Sequence, residues 1–101
     1  MIANTPKTPY YAVIFTSIMS KNEKGYNSMS DKMVALASQQ EGFLGIESAR
    51  NDIGITVSYW KSLDAITKWK MNIEHTEARN LGREQWYDTF KVRICKVERD
   101  Y

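Results

Sequence analysis

The segment GITVSYWKSLDAITKWKMNIEH, residues 54–75, combines two tryptophans with the only histidine of the chain. His75 is the first candidate for a general base, because histidine has an unperturbed pKa near neutrality. Trp69 is the second candidate catalytic residue, since its indole N–H could hold a reacting oxygen. The segment therefore raises two possibilities: it forms the wall of a reactive pocket, or it is a strand and a helix that pack together.

Five further residues are candidates for binding a substrate around His75 and Trp69. Arg79 follows His75 by four positions, so both side chains could reach one edge of a cavity. Aromatic side chains could form apolar walls or donate hydrogen bonds, and these are Tyr59, Trp60, Trp86 and Tyr87.

Each of these residues also has a purely structural interpretation. A histidine near a helix start often caps the helix or forms hydrogen bonds at the surface. A tryptophan on an apolar helical stripe, as Trp69 is, more often belongs to the core. Arg79 and Arg93 could be solvated or paired with Glu47, Glu77 or Glu84. Ser28, Ser30 and Ser38 have no partnered histidine or carboxylate, so a nucleophilic triad has no support.

Length and composition indicate one small globular domain. The chain has 101 residues, 43% of them hydrophobic and 26% charged, and a formal charge of +2. Its basic residues are interspersed with acidic ones, which makes nucleic acid an unlikely partner. The lone Cys95 cannot form an internal disulfide and is expected as a small buried residue of a strand. No signal peptide or membrane span is expected, so we expect a cytoplasmic protein.

Hydrophobic periodicity predicts the first half of the fold. Residues 1–9 form a polar tail, and YYAVIFTSIM, residues 10–19, predicts a strand that is buried on both faces. Apolar residues at helical spacing from Tyr26 predict a first helix that ends near Gly42. GFLGIESARND and IGITVSYWKS predict two strands paired antiparallel, with a turn at Asn51 and Asp52.

The second half predicts a helix followed by a strand. Ser62 is a suitable N-cap, and Leu63, Ile66 and Trp69 form one apolar stripe that would pack on the sheet. A further helical segment is expected from Asn72 through His75 to Trp86. The closing run TFKVRICKVERDY alternates as a strand does, with Phe90, Val92 and Ile94 on one side and Lys91, Arg93, Cys95 and Val97 on the other.

This order predicts an α+β, ferredoxin-like βαββαβ domain over residues 10–101, with a four-stranded antiparallel sheet and both helices on one face. Helices on one face leave the other face of an apolar sheet uncovered. A homodimer is therefore the expected partner arrangement.

The run from Gly42 to His75 resembles the antibiotic biosynthesis monooxygenase family, which shows a GFLG strand, a YW.S..A...W segment and a histidine shortly afterwards. The resemblance extends from the first strand to WYDTFKVRICKVERDY. It implies a dimeric α/β barrel with a pocket between each sheet and its own helices. It also implies oxygen chemistry on small aromatic molecules without metal or flavin.

Such a cofactor-independent monooxygenase must remove a proton from a phenol or enol, so that the anion can reduce oxygen in a dry pocket. A quinol or phenol is the expected substrate class, and no cofactor or metal is expected. One branch of the relatives degrades haem with an asparagine on the first strand, a tryptophan on helix two and a histidine about ten residues later. Trp69 matches that tryptophan, but position 79 is an arginine. Strand one here has no asparagine, which disfavours haem degradation.

A second class of function stays open, in which the same barrel is a non-catalytic dimer that binds a small hydrophobic molecule or acts as an accessory protein. RNA-binding domains share the strand order, but strand three lacks their paired surface aromatics. An acylphosphatase is disfavoured because strand one is not followed by an arginine-bearing phosphate loop.

Overall fold

The computed structural model describes residues 2–21, 26–74 and 87–101, leaving aside the side chains of residues 26–29 and Glu74. Within these ranges the order of elements confirms the predicted ferredoxin-like fold. The elements are β1 (Tyr10–Met19), α1 (Tyr26–Ser38), β2 (Phe43–Arg50), β3 (Gly54–Trp60), α2 (Leu63–Glu74) and β4 (Tyr87–Val97).

The described strands form one antiparallel sheet in the order β2-β3-β1-β4. The predicted turn at Asn51 and Asp52 joins β2 to β3, and the Asn51 N–H donates to the Ile53 carbonyl at 3.1 Å. β1 pairs with β3 on one side and with β4 on the other, so the most apolar strand is an inner one. β2 and β4 are the edges of the sheet.

Local chemistry fixes where α2 begins. The Ala65 N–H donates to the Ser62 hydroxyl at 3.1 Å, which confirms Ser62 as the N-cap. Gly42 precedes β2 with a φ of 85°, a left-handed conformation that favours glycine. A Cβ on Gly42 would also lie 2.6 Å from the Cβ of Ala65. The start of α2 therefore packs directly on the chain that enters β2.

The core lies between the sheet and the helices around Trp60, which has 0% of its surface exposed. Ala37 of α1 and Ala65 and Ile66 of α2 complete its buried centre. Partly buried side chains pack around them, namely Tyr11, Val13, Phe43 and Trp69. The prediction that Leu63 packs on the sheet is wrong, because Leu63 is the first residue of α2 and is 52% exposed.

Strand register divides the sheet into two faces. The face under the helices, which we call the helix-side face, carries Val13 of β1 and Trp60 of β3, both of which belong to the core. The opposite face, which we call the outer face, carries the intervening residues, including Ala12 and Tyr59. Since side chains alternate along a strand, adjacent residues such as Tyr59 and Trp60 lie on opposite sides of the sheet.

Strand β1 is less buried than the sequence predicts. Only Tyr10, Ala12 and Ser17 are buried, and Ile18 is exposed. Cys95, predicted to be buried, is exposed instead. It points to the outer face on edge strand β4, and no helix in the described ranges packs there. No helix within the described part of the chain is long and apolar enough to cross a membrane.

Candidate functional site

The chemical character of the helix-side face changes along the strands with increasing distance from Trp60. Pairing of the strands lines up successive rows of side chains, one residue from each strand. In the order β2, β3, β1, β4 these rows are Ile46, Ser58, Val13 and Ile94; then Ser48, Thr56, Phe15 and Val92; then Arg50, Gly54, Ser17 and Phe90. The surface therefore changes from apolar core to hydroxyl-bearing floor to a cationic end.

Two stacked tryptophans close the core end of this surface. The rings of Trp60 and Trp69 lie 6.0 Å apart at an interplanar angle of 24°. The Trp60 indole N–H donates to the Ser58 hydroxyl at 2.9 Å. Because Trp60 is fully buried, it packs against Trp69 but has no surface of its own that a ligand could contact. Trp69 is only partly buried, so it is the tryptophan of this pair that could contact a ligand.

A cluster of three aromatic rings lies at the other end, over β1 and β4. The ring of Phe15 is 5.6 Å from that of Phe90 and 5.3 Å from that of Tyr87. We call these three residues the aromatic cluster. Beside it on β4, Val92 is 48% and Ile94 52% exposed. This half of the helix-side face is therefore an apolar and aromatic surface with area to offer a planar molecule.

Arg50 stands at the cationic end of the same face. Its side chain crosses Gly54 and donates from Nη2 to the Ser17 hydroxyl and from Nη1 to the Ser17 carbonyl, the latter at 3.5 Å. A Cβ on Gly54 would lie 2.1 Å from the guanidinium carbon, so the arrangement requires a glycine there. Ser17 is 1% exposed. An arginine held by a buried serine is thus fixed next to the aromatic cluster.

The outer face holds a different set of polar groups, centred on Tyr59 and Glu47. The Tyr59 hydroxyl donates to Glu47 Oε1 at 2.5 Å, and the Ala3 N–H donates to Oε2 at 2.9 Å. The bond to Glu47 raises the pKa of Tyr59 to about 12, with burial as a smaller cause. The same two bonds, led by that from Tyr59, lower the pKa of Glu47.

A second tyrosine–carboxylate pair lies beside the first. The Tyr10 hydroxyl donates to Asp100 Oδ2 and accepts a bond from the Thr5 hydroxyl at 2.9 Å. The bond to Asp100 is the main cause that raises the pKa of Tyr10. The rings of Tyr10 and Tyr59 meet edge to face at 5.8 Å. We call the two pairs the tyrosine clip, because they attach both ends of the chain to the outer face.

The structure brings some of the predicted site residues together and separates others. Trp60 and Tyr87 lie on the helix-side face, and Trp69 of α2 stacks on Trp60 from above that face. Tyr59 lies on the outer face in the tyrosine clip, on the far side of the sheet from them. The other three candidates, His75, Arg79 and Trp86, lie outside the described residues.

Sequence reasoning missed Arg50, Ser17 and the two phenylalanines of the aromatic cluster. Alternation alone would have put Arg50 on the face of Ser58 and Trp60, had the pairing across the Asn51 turn been counted residue by residue. The approach of Phe15 to Phe90 depends on the pairing of β1 with β4, whose strands are far apart in sequence. No local pattern reports such a contact.

The helix-side face suits a small planar ligand. Its aromatic and aliphatic side chains offer stacking and apolar contact, while the hydroxyls of Ser48 and Thr56 in the middle row can hold oxygen substituents. Within residues 2–21, 26–74 and 87–101 no three His, Cys, Asp or Glu side chains are grouped as ligands for a metal ion.

Comparison with known proteins gives one relative in sequence and several in structure. No protein-family model matches the chain. The uncharacterised protein YqjZ of Bacillus subtilis strain 168 is 50% identical over 100 residues, which cover 97% of this chain and 88% of YqjZ. An identity of this size over nearly the whole chain reflects common descent.

Solved structures similar to this one have far lower sequence identity. SnoaB, a cofactor-independent oxygenase from Streptomyces nogalater, has a TM-score of 0.78 at 11% identity, covering 92% of this chain and 97% of SnoaB. Rv0793 from Mycobacterium tuberculosis has a TM-score of 0.75 at 13% identity, covering 93% and 98%. A candidate antibiotic biosynthesis monooxygenase from Nitrosomonas europaea has a TM-score of 0.71 at 8% identity, covering 93% and 94%. The resemblance to that family is thus confirmed at the level of the fold.

Proposed function

Because the chain belongs to the family of the Bacillus subtilis protein YqjZ and has the fold of antibiotic biosynthesis monooxygenases, we propose that it is a cofactor-independent monooxygenase. Its substrate is a small aromatic or enolisable molecule of the quinol or phenol type. The observation that carries the proposal is the aromatic cluster, which lies partly buried on the helix-side face beside the exposed Val92 and Ile94.

The reaction uses the substrate as its own reductant. A base removes a proton from the phenol or enol, and the resulting anion transfers electrons to O₂ and forms a carbon–oxygen bond with it. Loss of water from this hydroperoxide at a CH₂ carbon leaves a carbonyl group. The carbon gives up four electrons in total, so one oxygen atom enters the product and the other leaves as water. The protein contributes binding, orientation, exclusion of water and the base.

His75 is the proposed base, as the sequence suggests, and Trp69 is proposed to border the substrate. Trp69 is supported in this role by its position, because it is partly buried and stacks on Trp60 at the edge of the core. Tyr87 is proposed to contact the substrate through the aromatic cluster. Arg79 and Trp86 stay predictions from the sequence. Tyr59 is not part of the proposed site, since it points to the outer face.

The proposed enzyme is a homodimer whose two sheets pack through their outer faces. Ile18 is 42% and Ile55 45% exposed on this face, and Ile53 in the adjoining turn is exposed as well. A second copy of the chain would remove these isoleucines from water.

The dimer is tested by Ile55→Glu, with Leu63→Glu as the matched control. Both residues are exposed to a similar degree, but Leu63 lies at the start of α2 on the other side of the molecule. Light scattering should give the mass of two chains for the natural protein and the control, and of one chain for Ile55→Glu. A dimeric Ile55→Glu protein would move the interface away from the outer face.

The activity is tested by oxygen uptake in a chelator-treated sample with a panel of dihydroxyaromatic compounds and enolisable polycyclic ketones. We expect saturable uptake with at least one member, and His75→Ala should reduce it by roughly 10²–10⁴-fold while the protein stays folded. Saturable binding across the panel with no oxygen uptake would instead support the alternative function, a small-molecule-binding or accessory protein.

A further inference from the structure

We propose that Arg93 of each chain forms an ion pair with Glu47 of the partner subunit in the homodimer. Two equivalent pairs then flank the apolar centre of the interface and set how the two sheets face each other. This inference rests on the proposed function, because it adds to the proposed homodimer the residues that orient it. It is supported by the strand register, by the charges of the outer face and by the symmetry of a two-chain interface.

Arg93 and Glu47 stand at opposite ends of one row of the outer face. In the order β2, β3, β1, β4 this row is Glu47, Val57, Ile14 and Arg93. Three strand spacings of about 4.8 Å, roughly 14 Å in total, separate the backbones of the two charged residues. The pairing of Arg93 with Glu47 that the sequence allowed is therefore too long within one chain, and the described part of the chain contains no such ion pair.

The charges of the outer face are separated by sign onto its two edges. Among the paired outer-face positions of the described strands, Glu47 on β2 is the only carboxylate, and Lys91 and Arg93 on β4 are the only cations. Both cations are exposed. Between the edges lie apolar side chains such as Val57 and Ile14. The face consequently has an acidic edge, an apolar centre and a basic edge.

A two-fold axis can join two such faces in two ways when the strands of the two sheets are nearly aligned. If the axis runs across the strands, each strand lies over its own copy, and the basic edge of one chain meets the basic edge of the other. If the axis runs along the strands, β4 lies over the partner's β2, and each row lies over the same row in reverse order. Opposite charges then meet at both edges, which favours the second arrangement.

The second arrangement brings Arg93 opposite Glu47 of the partner subunit and Val57 opposite Ile14 of the partner subunit. Packed sheets lie about 10 Å apart, a distance that an arginine and a glutamate side chain span together. Because the interface is symmetric, every contact occurs twice, so one residue of each sign provides two ion pairs.

Glu47 keeps the capacity to accept a further bond. Its two oxygens each accept one bond, from the Tyr59 hydroxyl and the Ala3 N–H, whereas a carboxylate offers about four acceptor sites. These bonds, led by that from Tyr59, lower the pKa of Glu47, which is therefore an anion at neutral pH. The tyrosine clip thus holds a charged carboxylate at the acidic edge.

The first test reverses the charge of Arg93 and measures the dimer dissociation constant by analytical ultracentrifugation of the full chain. Arg93→Glu should raise this constant by roughly 10–100-fold, because both ion pairs become contacts between like charges. Lys91→Glu is the matched control. It makes the same change of charge two residues away on the same face, but it faces Ala49 of the partner subunit, so it should affect the constant far less.

The second test restores the pairs between two different variants. Glu47→Lys should dissociate as Arg93→Glu does, since each variant alone opposes like charges. An equimolar mixture should form heterodimers, because each chain then offers a residue of the sign that the other lacks. Circular dichroism of each variant checks that the monomers are folded.

Ala49→Glu provides a test that leaves the tyrosine clip intact and covers the case in which Glu47→Lys does not fold. Ala49 is exposed and lies in the same row as Lys91. The added carboxylate would therefore face Lys91 of the partner subunit, and the dimer should become tighter. With the axis across the strands, the same carboxylate would lie near its own copy, and the dimer should become weaker.

The results separate this inference from the proposed function. A natural protein that is monomeric at all concentrations would overturn the homodimer and the ion pairs together. A natural dimer that Arg93→Glu leaves unchanged or tightens, or that Ala49→Glu weakens, would overturn the ion pairs and retain the homodimer. A mixture of folded Arg93→Glu and Glu47→Lys monomers that does not associate would do the same. None of these measurements depends on oxygen uptake.

Discussion

The two faces of the sheet use aromatic residues in opposite ways. On the outer face, Tyr10 and Tyr59 each donate to a carboxylate and fix the ends of the chain. On the helix-side face, Phe15 and Phe90 stack on each other without such a bond, and Val92 and Ile94 beside them are exposed. The first arrangement uses its hydrogen-bonding groups to hold the ends of the chain, while the second leaves aliphatic surface uncovered.

The tyrosine clip shows that hydrogen bonds between parts of the fold are enough to perturb a pKa. The pKa of Tyr59 is raised to about 12, yet its cause is the bond to Glu47 in the tyrosine clip. The clip joins residues far apart in sequence, such as Ala3 with Glu47 and Tyr10 with Asp100. Structural hydrogen-bond networks shift pKa values as catalytic sites do, so the surroundings of a group must decide between them.

The largest difference in stability between the faces is expected from substitutions of two adjacent residues of β3, Trp60 and Tyr59. Trp60→Ala removes a fully buried ring that contacts Phe43 and Trp69 and should lower the free energy of unfolding by about 3–5 kcal/mol. Tyr59→Phe, which removes one hydroxyl on the outer face, should cost far less. Chemical denaturation of both variants checks this order, and similar losses for the two would contradict the division into faces.

A smaller effect is expected within the tyrosine clip. Tyr59→Phe and Glu47→Gln each remove or weaken the bond between the Tyr59 hydroxyl and the Glu47 carboxylate. Each should lower the free energy of unfolding by about 1 kcal/mol, since the pair is partly exposed and solvent screens it. A double-mutant cycle measures the coupling. We expect a loss for the double variant well below the sum of the two single losses, and strict additivity would argue against the bond.

The clip also predicts how stability depends on pH. The pKa of Glu47 is lowered from 4.5 in the folded protein, so its contribution is present above pH 4.5 and is lost as the pH falls through the folded value. The pKa of Tyr59 is raised from 10.0 to about 12, so its contribution is complete below pH 10 and is lost as the pH rises toward 12.

Glu47→Gln should therefore flatten part of the acid limb of a stability–pH profile and return the pKa of Tyr59 toward 10.0. Ultraviolet titration of tyrosinate, compared with Tyr59→Phe to identify the signal, measures the second effect. An unchanged tyrosine titration in Glu47→Gln would show that burial, and not the carboxylate, dominates the shift.

The sequence was sufficient to predict the fold because hydrophobic periodicity, the Ser62 cap and the Asn51 turn are local signals. It was less informative on burial. Cys95 and Leu63 were expected inside and are exposed, since neither an edge strand nor the first position of a helix guarantees a covering layer.

The candidate site was predicted only in part, for a related reason. Trp60, Trp69 and Tyr87 could be placed by aromatic content, but the bridge from Arg50 over Gly54 to Ser17 spans three strands. Its members become neighbours only once the strand order and register are known. Tyr59 illustrates the opposite case, because its nearness in sequence to Trp60 suggested a shared pocket, whereas alternation along β3 puts the two side chains on opposite faces of the sheet.

The smallest loss of stability is expected from Trp69→Phe. This substitution tests whether Trp69 belongs to the core or to the site. Phenylalanine keeps an apolar ring against Trp60 but gives up part of the stacked area and the indole N–H. Loss of stability should be limited to roughly 0.5–1 kcal/mol, because the residue is only partly buried and the replacement is aromatic. If Trp69 borders the substrate, KM for a turned-over compound should rise while kcat changes little. A fall in kcat at constant KM would instead assign the indole N–H to the reacting oxygen, and no kinetic change together with a larger loss of stability would make Trp69 a core residue alone.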